Sequence, residues 1–191
     1  MSRTIGILAL QGDYAKHAEV VKKLKYNTEF VRDAATLLKC DALIIPGGES
    51  TTFLNLIEKL ELRDPLVEFG RNKAIMGTCA GLIILAAKTD VLEFEPLKLI
   101  DIEVHRNAYG RQIDSFVDDI DLRINGAPAK FEGVFIRAPK IISINTGVQP
   151  LAYHRDDIVM AANKNILVAS FHPELTDDMT IHKYFIDTFV S

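Results

Sequence analysis

The chain has 191 residues, 48% of them hydrophobic and 25% charged, which predicts one compact domain spanning residues 1–191 rather than a disordered chain. Its formal net charge of −4, with the basic residues scattered, argues against nucleic acid as a partner. No stretch reaches the roughly 20 apolar residues that cross a membrane, and no signal segment is evident, so we expect a cytoplasmic protein without membrane association. The cysteines, Cys40 and Cys79, form no C-x-x-C pair and predict neither a disulfide framework nor a zinc site.

The first half of the chain alternates short apolar runs with amphipathic stretches. The apolar runs predict strands at residues 4–10, 28–31, 42–45 and 74–76. Helical spacing of apolar residues predicts helices around residues 15–24, 53–60, 66–69 and 82–87, the third of them capped by Asp64 with Pro65 in its first turn. Strands separated by helices indicate a parallel sheet covered by helices on both faces.

The second half contains many short strand-like runs with few helical spacers. They lie at residues 99–104, 115–117, 122–124, 133–136, 141–144, 158–162 and 166–171. Turn residues at 107–110, 125–126, 139, 145–147 and 163–165 favour antiparallel hairpins added to the parallel core. Residues 181–189 predict a final helix, capped by residues 176–178. The predicted fold class is therefore α/β, a three-layer sandwich whose mostly parallel central sheet carries antiparallel additions.

The strongest candidate for chemistry is the strand-to-helix loop at residues 77–81, Gly-Thr-Cys-Ala-Gly. Ligands of open parallel sheets bind beyond the carboxyl ends of the strands, where this loop is expected. Glycines on either side of Cys79 permit the sharp turn of a nucleophile elbow, and a helix N-terminus favours the thiolate. The alternative is a buried cysteine in a glycine-rich turn, and the pentapeptide by itself does not decide between the two.

A thiol nucleophile needs a base, and residues 170–174, Ser-Phe-His-Pro-Glu, offer one after the last predicted strand. In an extended stretch residues two apart point the same way, so Glu174 is predicted to hold one nitrogen of His172 while the other faces Cys79. The alternative is a His-Pro turn followed by a surface glutamate. A cysteine elbow at another strand end favours the catalytic interpretation.

Two further features suit a small polar substrate. Residues 46–52, Pro-Gly-Gly-Glu-Ser-Thr-Thr, place the N–H groups of a glycine pair at a helix start, where they suit an oxyanion. The plainer interpretation is a helix cap formed by Ser50 or Thr51. Arg106 and Arg137 follow predicted strands, and a guanidinium fits the carboxylate of an α-amino acid, although isolated arginines are more often surface residues.

Other polar clusters predict no site. Residues 118–121 lack the glycine and the distal glutamate of a calcium loop and are predicted to form a solvated turn. The remaining histidines have no metal-ligand spacing and are interpreted as surface or core residues: His17, His105, His154 and His182. Cys40 is expected to fill space in the core.

Taken in order, the motifs resemble those of the class I, triad-type glutamine amidotransferases. The resemblance is carried by PGGEST at residues 46–51, GTCAG at 77–81 and FHPE at 171–174. LQG at 10–12, RNAYGRQ at 106–112 with Ser115 and Phe116 behind it, and FIRAP at 135–139 narrow it to the glutaminase subunits of two-protein pyridoxal 5'-phosphate synthases. The resemblance covers nearly the whole chain and implies a flavodoxin-like fold with no cofactor and no metal.

The resemblance implies a covalent route for the hydrolysis of L-glutamine. Cys79 would attack the side-chain amide, releasing ammonia and leaving a glutamyl thioester that water hydrolyses, while His172 shuttles protons and Glu174 orients it. Backbone N–H groups of Gly48 and Ala80 would hold the oxyanion. The implied glutamine pocket consists of Gly47, Gly48, Glu49, Ser50, Arg106, Ile136 and Arg137.

A partner is implied as well, a barrel-shaped synthase subunit that uses the ammonia within a large hetero-oligomer and without which the glutaminase is nearly silent. A glycine pair adopts two peptide orientations at little steric cost, so rotation of the Gly47–Gly48 peptide would switch the oxyanion site. We expect Gln11 and Gly12, at the end of the first strand and on the same rim, to take part in the partner contact.

Two alternatives stay open at this stage. One is a cysteine hydrolase or deglycase of the same sheet architecture, whose Cys79 a glutamine-analogue electrophile would label regardless of added glutamine. The other is an inactive regulatory subunit, which would bind the synthase but release no ammonia. The presence of all three triad residues argues against the second.

Overall fold

The computed structural model describes residues 3–90, 95–106, 115–124 and 126–190. The helices in these segments are α1 (Tyr14–Lys23), α2 (Ala34–Leu38), α3 (Ser50–Lys59), α4 (Arg63–Asn72), α5 (Ala80–Leu85) and α6 (Thr180–Phe189). The strands are β1 (Thr4–Leu8), β2 (Asn27–Val31), β3 (Ala42–Ile45), β4 (Ala74–Thr78), β5 (Ala86–Thr89), β6 (Ile100–His105), β7 (Ser115–Ile124), β8 (Ala127–Ile136), β9 (Lys140–Ile144), β10 (Gln149–His154), β11 (Asp157–Ala162) and β12 (Ile166–Ala169). The predicted turn at 107–110, Asn125 and the RNAYGRQ motif beyond Arg106 lie outside the described residues.

Nine of the described strands form a central sheet in the order β2-β1-β3-β4-β12-β11-β10-β7-β8. The first five run parallel, and the antiparallel strands β11, β10, β7 and β8 extend the sheet on one side. Strands β1, β3, β4 and β12 are buried along nearly their whole length, as expected for parallel strands covered on both faces. The predicted mixed sheet is confirmed.

Two apolar clusters cover the two faces of this sheet. On one face, Ala18 and Val21 of α1 and Ile181 and Phe185 of α6 pack against alternate residues of the parallel strands. On the other face, α2, α3, α4 and α5 contribute apolar side chains that include Phe53. The result is the predicted helix-sheet-helix sandwich, in which α1 and α6 lie together on one side.

Strands β5, β6 and β9 differ from the prediction because they form a second sheet, in the order β5-β6-β9, rather than additions to the central one. Ile100, Ile102 and Val104 of β6 belong to the same apolar cluster as α3, α4 and α5. This small sheet therefore covers the helices of one outer layer. Residues 86 and 87, predicted as the end of a helix, begin β5 instead.

Several predicted helix starts are wrong. Helix α4 begins at Arg63, so Asp64 lies in its first turn and is not the cap. Glu49, rather than Ser50 or Thr51, caps α3. Helix α6 has Met179 at its N-cap, although residue 178 still accepts a hydrogen bond from the N–H of residue 180.

Residues 118–121 are not a solvated turn but the middle of β7, paired with residues 130–133 of β8. From Asp119 to Ile124 exposed and buried residues alternate, with Ile120, Leu122 and Ile124 buried, which is typical of a strand with one solvated face. The three aspartates led to the prediction of a turn, although this segment is a half-buried strand. None of the described helices is long and apolar enough to cross a membrane, and the cytoplasmic location stays a prediction.

Candidate active site

The loops singled out in the sequence meet beyond the carboxyl ends of adjacent parallel strands. Thr78 at the end of β4 pairs with Ala169 at the end of β12, and the N–H of Cys79 donates to the carbonyl of Ala169 at 2.8 Å. On the other side of β4, Ile45 at the end of β3 lies beside Gly77. The cysteine loop is therefore flanked by the loop that follows β3 and by the loop that follows β12.

Cys79 lies at a sharp elbow between β4 and α5, with φ +50° and ψ −104°, a conformation that non-glycine residues rarely adopt. The glycines around it are required by close packing. A Cβ atom at Gly81 would lie 2.2 Å from the carbonyl oxygen of Ile45, and one at Gly77 would lie 2.6 Å from Cδ1 of Leu85. The glycine pattern thus reflects a crowded turn that fixes the position of the cysteine.

His172 and Glu174 form the predicted pair, with 2.7 Å between Nδ1 and Oε1. The geometric reason differs from the prediction, because residues 173–175 form a 3-10 turn rather than an extended stretch. The N–H of His172 also donates to the carbonyl of Val134 at 2.8 Å, which ties this loop to β8. Both side chains are buried, so the imidazole is held in place and largely shielded from water.

The electrostatics favour a protonated His172 next to an ionised Glu174. Burial lowers the pKa of His172, but the neighbouring Cys79 and Glu174 outweigh it and raise the pKa to about 10. Burial raises the pKa of Glu174, but His17 and His172 outweigh it and lower the pKa to about 2. Because Nδ1 of His172 is engaged by Glu174, Nε2 is the nitrogen left for chemistry, and it has no hydrogen-bond partner among the described residues.

A cavity of about 460 Å³ opens over the sulfur. Its walls include most of the predicted residues: Gly12, Gly47, Gly48, Glu49, Ser50, Cys79, Arg106, Ile136, Arg137 and His172. A Cβ atom built on Gly47 would lie 2.5 Å from Cε1 of His172 and 3.3 Å from Cβ of Cys79. These two atoms are therefore no farther apart than the sum of those distances, which brings imidazole and cysteine to the same point of the cavity wall.

Glu49 connects the start of α3 to the cavity. Its two carboxylate oxygens accept from the N–H groups of Thr51 and Thr52, at 3.0 and 2.6 Å. Burial raises the pKa of Glu49, but these hydrogen bonds outweigh it and lower the pKa to about 2. Nη2 of Arg106 lies 3.3 Å from Oε1 of Glu49. An ionised carboxylate and a guanidinium therefore stand side by side in the cavity wall.

Gln11 and Gly12 contact the glycine loop directly. Nε2 of Gln11 donates to the carbonyl of Glu49, and a Cβ atom at Gly48 would touch the Gln11 side chain at 3.3 Å. Gly12, with φ +75°, lies so near that a Cβ atom there would come within 1.8 Å of the carbonyl oxygen of Gly47. Since the C=O and N–H of one peptide point in opposite directions, the N–H of Gly48 points away from Gly12.

Ile136 and Arg137 reach the site from the far edge of the sheet. Strand β8 is the last in the sheet order, yet the carbonyl of Ile136 lies 3.8 Å from Sγ of Cys79. The ten-residue strands β7 and β8 form a ribbon that returns to the cavity. Ala80, the other predicted oxyanion donor, is the buried first residue of α5, directly after Cys79.

The sequence reasoning missed four residues of this region. Asp13 and Ile83 line the cavity; each lies close along the chain to a predicted residue, which was the available signal. His17 and His182 were assigned to surface or core without a role, and both are fully buried: Nε2 of His17 lies 3.3 Å from Oε2 of Glu174, and His182 contacts His17 from behind. No sequence spacing indicates this contact, because α1 and α6 lie at opposite ends of the chain.

The chain is similar in sequence to a known protein family and to named proteins. The chain matches the SNO glutamine amidotransferase family over residues 7–191. It is 46% identical over 186 residues to the pyridoxal 5'-phosphate synthase subunit PdxT of Francisella tularensis subsp. novicida (strain U112), covering 97% of this chain and 99% of that one. Identity and coverage are the same for the protein of that name from Francisella tularensis subsp. tularensis (strain SCHU S4 / Schu 4).

Solved structures agree on the fold. A crystal structure of a glutamine amidotransferase superposes with a TM-score of 0.90 at 40% identity, covering 96% of this chain and 97% of that one. PurLQS from Thermotoga maritima gives a TM-score of 0.76 at 14% identity, covering 98% of this chain and 99% of that one. At so low an identity, the likeness to PurLQS shows a common architecture alone.

Proposed function

This chain belongs to the SNO glutamine amidotransferase family, and we propose that it performs that family's chemistry with Cys79, His172 and Glu174, the whole chain acting as one glutaminase domain. It hydrolyses L-glutamine to L-glutamate and ammonia, and the ammonia serves the synthesis of pyridoxal 5'-phosphate. The observation that carries the assignment of residues is the His172–Glu174 pair at the end of β12, set beside an elbow cysteine at the end of β4 on one cavity.

In the proposed reaction, the Cys79 thiol passes its proton to His172, and the resulting thiolate attacks the side-chain amide carbon of glutamine while the carbonyl π electrons move onto oxygen. The N–H groups of Gly48 and Ala80 stabilise this oxyanion. Protonated His172 gives its proton to the leaving nitrogen, so ammonia departs as the carbonyl reforms and a glutamyl thioester remains. His172, now neutral, takes a proton from water as the water attacks the thioester. The second tetrahedral intermediate expels the Cys79 thiolate beside protonated His172, and the new carboxyl group loses its proton to solvent as L-glutamate leaves.

The chemistry of the cavity walls suits the α-amino acid end of glutamine. Arg106 and Arg137 present guanidinium groups for the substrate carboxylate, and Glu49 presents a carboxylate for the substrate ammonium group. Gly47, Ser50 and Ile136 complete the pocket. Because Glu49 is held ionised by the start of α3, the pocket keeps this charge pattern through the physiological pH range.

The partner is a synthase subunit, which we propose to be barrel-shaped and to assemble with this chain into a large hetero-oligomer. The contacts of Gln11 and Gly12 with the glycine loop support a role for them at this interface. Turning the Gly48 N–H requires the Gly47 carbonyl to leave Gly12, so a partner that moves residues 11–12 would change the oxyanion site. Gln11→Ala is expected to lower partner-stimulated activity without unfolding the chain, and unchanged stimulation would disprove this role.

The decisive experiment measures ammonia release from glutamine with and without the cognate synthase subunit. Cys79→Ala should abolish release, while Cys40→Ala, at a buried cysteine outside the cavity wall, should retain it. A glutamine-analogue electrophile should label Cys79, and excess glutamine should prevent the labelling. Labelling that ignores glutamine would favour a different cysteine hydrolase, and wild-type chain that binds the synthase but releases no ammonia would be a regulatory subunit.

A further inference from the structure

Two histidines that the proposed reaction does not use form a buried line behind Glu174. Nε2 of His17, in α1, lies 3.3 Å from Oε2 of Glu174, and Nδ1 of His17 lies 2.9 Å from Nε2 of His182, in α6. The side chains of His17 and Glu174 are fully inaccessible to solvent, and so is His182. Cys79, His172, Glu174, His17 and His182 therefore follow one another from the cavity into the core.

Both imidazoles of this line are neutral at physiological pH. Burial lowers the pKa of His17, which Glu174 and Asp13 oppose and His172 reinforces. Burial also lowers the pKa of His182, to about 3, and His17 reinforces it while Glu174 opposes it. A neutral imidazole has one N–H donor and one acceptor nitrogen, so the order of donors along the line is set by the tautomers.

The carboxylate of Glu174 decides which tautomer fits. An ionised carboxylate only accepts hydrogen bonds, and Oε2 has no hydrogen-bond partner among the described residues, so the 3.3 Å approach of Nε2 of His17 is an electrostatic contact rather than a hydrogen bond. With its proton on Nδ1, His17 would place the lone pair of Nε2 at 3.3 Å from that buried anionic oxygen, and the two negative charges would repel each other. With the proton on Nε2, the N–H donates to the hydroxyl oxygen of Thr78, 3.2 Å from Nε2, and keeps its positive charge close to Oε2 of Glu174, which lies 3.3 Å from the same nitrogen.

The Nε2–H tautomer of His17 determines which atom donates the hydrogen bond between His17 and His182. Nδ1 of His17 then has only a lone pair, so Nε2 of His182 must be the donor across the 2.9 Å contact. Nδ1 of His182 carries a lone pair, which agrees with its having no hydrogen-bond partner among the described residues. The opposite arrangement would bury an unpartnered N–H at this atom, and such donors are rarer than unpartnered acceptors.

We propose that His17 is a positioning residue for the glutaminase reaction, holding Oε2 of Glu174 so that Oε1 stays on His172, and that His182 sets the tautomer of His17. This inference rests on the proposed function, because it assigns the two histidines to the same catalytic group. Neither histidine lines the cavity, so both act through the residues behind it, Glu174 and the hydrogen-bonded Thr78. Partners that orient a functional side chain from behind typically contribute about 10-fold to 100-fold at metal sites, and a similar loss is expected here.

The kinetic test compares His17→Leu with His17→Gln, each in complex with the synthase subunit. Leucine removes the donor and should lower kcat about 10-fold to 100-fold with KM nearly unchanged, whereas glutamine restores an N–H and should recover much of the rate. His154→Gln, at another buried histidine that pairs with Asp118 instead, serves as the control and should retain full activity. Wild-type rates in His17→Leu would overturn the proposal.

A double-mutant cycle separates positioning from a general packing role. In a Glu174→Gln background, His17→Leu should have little further effect on kcat, because the group it acts through has already changed. An equal loss in both backgrounds would show that His17 merely supports the fold and would overturn the proposal. If the leucine variant does not fold, His17→Met, which also lacks an N–H donor, takes its place in the cycle.

A spectroscopic test on the wild-type chain needs no activity at all. In protein labelled with ¹⁵N-histidine, His17 and His182 should both appear as neutral Nε2–H tautomers, unchanged between pH of about 6 and 8. An Nδ1–H tautomer at His17, or a charged ring, would overturn the proposal. A wild-type complex that releases no ammonia while showing these tautomers would instead refute the proposed function and leave the hydrogen-bond line in place.

Discussion

Replacing Gly47 by alanine tests the catalytic geometry at its most crowded point. The added methyl group would lie 2.5 Å from Cε1 of His172, whereas carbon atoms in contact prefer about 3.5 to 4.0 Å. The backbone accepts alanine, because the φ of Gly47 is not in the left-handed region. The imidazole must therefore retreat from the methyl group by about 1 Å, into the open cavity.

A displacement of about 1 Å in a reacting group is worth about 10²-fold in rate, or about 2.7 kcal/mol of activation free energy. We expect Gly47→Ala to lower kcat/KM by that factor while the free energy of unfolding changes by no more than about 1 kcal/mol. Ammonia release with the synthase subunit present measures the first quantity, and urea denaturation measures the second. Gly126→Ala is the control for the rate: its φ of +74° makes alanine less stable there, but nothing lies within 4 Å of the new methyl group, so it should keep the full rate. A kcat/KM for Gly47→Ala within about twofold of wild type would refute the placement of His172.

The other predictions concern reactivity and stability. Iodoacetamide should label Cys79 and spare Cys40, because burial raises the pKa of Cys40 to about 11; equal labelling in a mass spectrum would contradict this. Gly81→Ala should lower the free energy of unfolding by about 1 to 3 kcal/mol in urea titrations, because the carbonyl of Ile45 in a central strand cannot move aside; a neutral effect would count against the elbow geometry. Glu49→Ala should cost about 1 kcal/mol of stability at neutral pH through loss of the helix cap. Because the folded-state pKa of Glu49 is about 2 and its ordinary value is 4.5, this difference should persist above pH 4.5 and vanish as the pH falls toward 2; urea titrations showing a difference independent of pH would argue against a charged cap.

Much of the fold could be read from the sequence because the buried strands leave a strong local pattern. Strands β1, β3, β4 and β12 are short apolar runs of the length typical of buried strands. Because parallel strands end at the same edge of a sheet, the sequence also indicates the edge at which a site forms. Short or half-exposed elements leave weaker patterns. Helix α2 buries only Leu37, and β10 carries Pro150 near its start, so neither was predicted.

Some residues of the candidate site leave a local pattern in the sequence, and others do not. Cys79 and its flanking glycines form a local pattern, because the crowding that excludes a Cβ atom at Gly77 and Gly81 acts over a few residues. The contact between His17 and His182 joins positions 165 residues apart, and a single sequence holds no local trace of it. The cap of α3 was assigned to Ser50 or Thr51, one or two residues too late, because the longer side chain of Glu49 reaches two N–H groups at once.

The backbone at Cys79 has a consequence for how the protein tolerates change. A left-handed φ costs an ordinary residue about 1 to 2 kcal/mol relative to glycine, and here the surrounding packing enforces it. Exchange of the cysteine for glycine should therefore yield a chain that resists denaturation better than wild type and performs no chemistry. Stability alone would favour glycine at this position, so the proposed role of Cys79 as the nucleophile accounts for a cysteine at a strained point of the backbone.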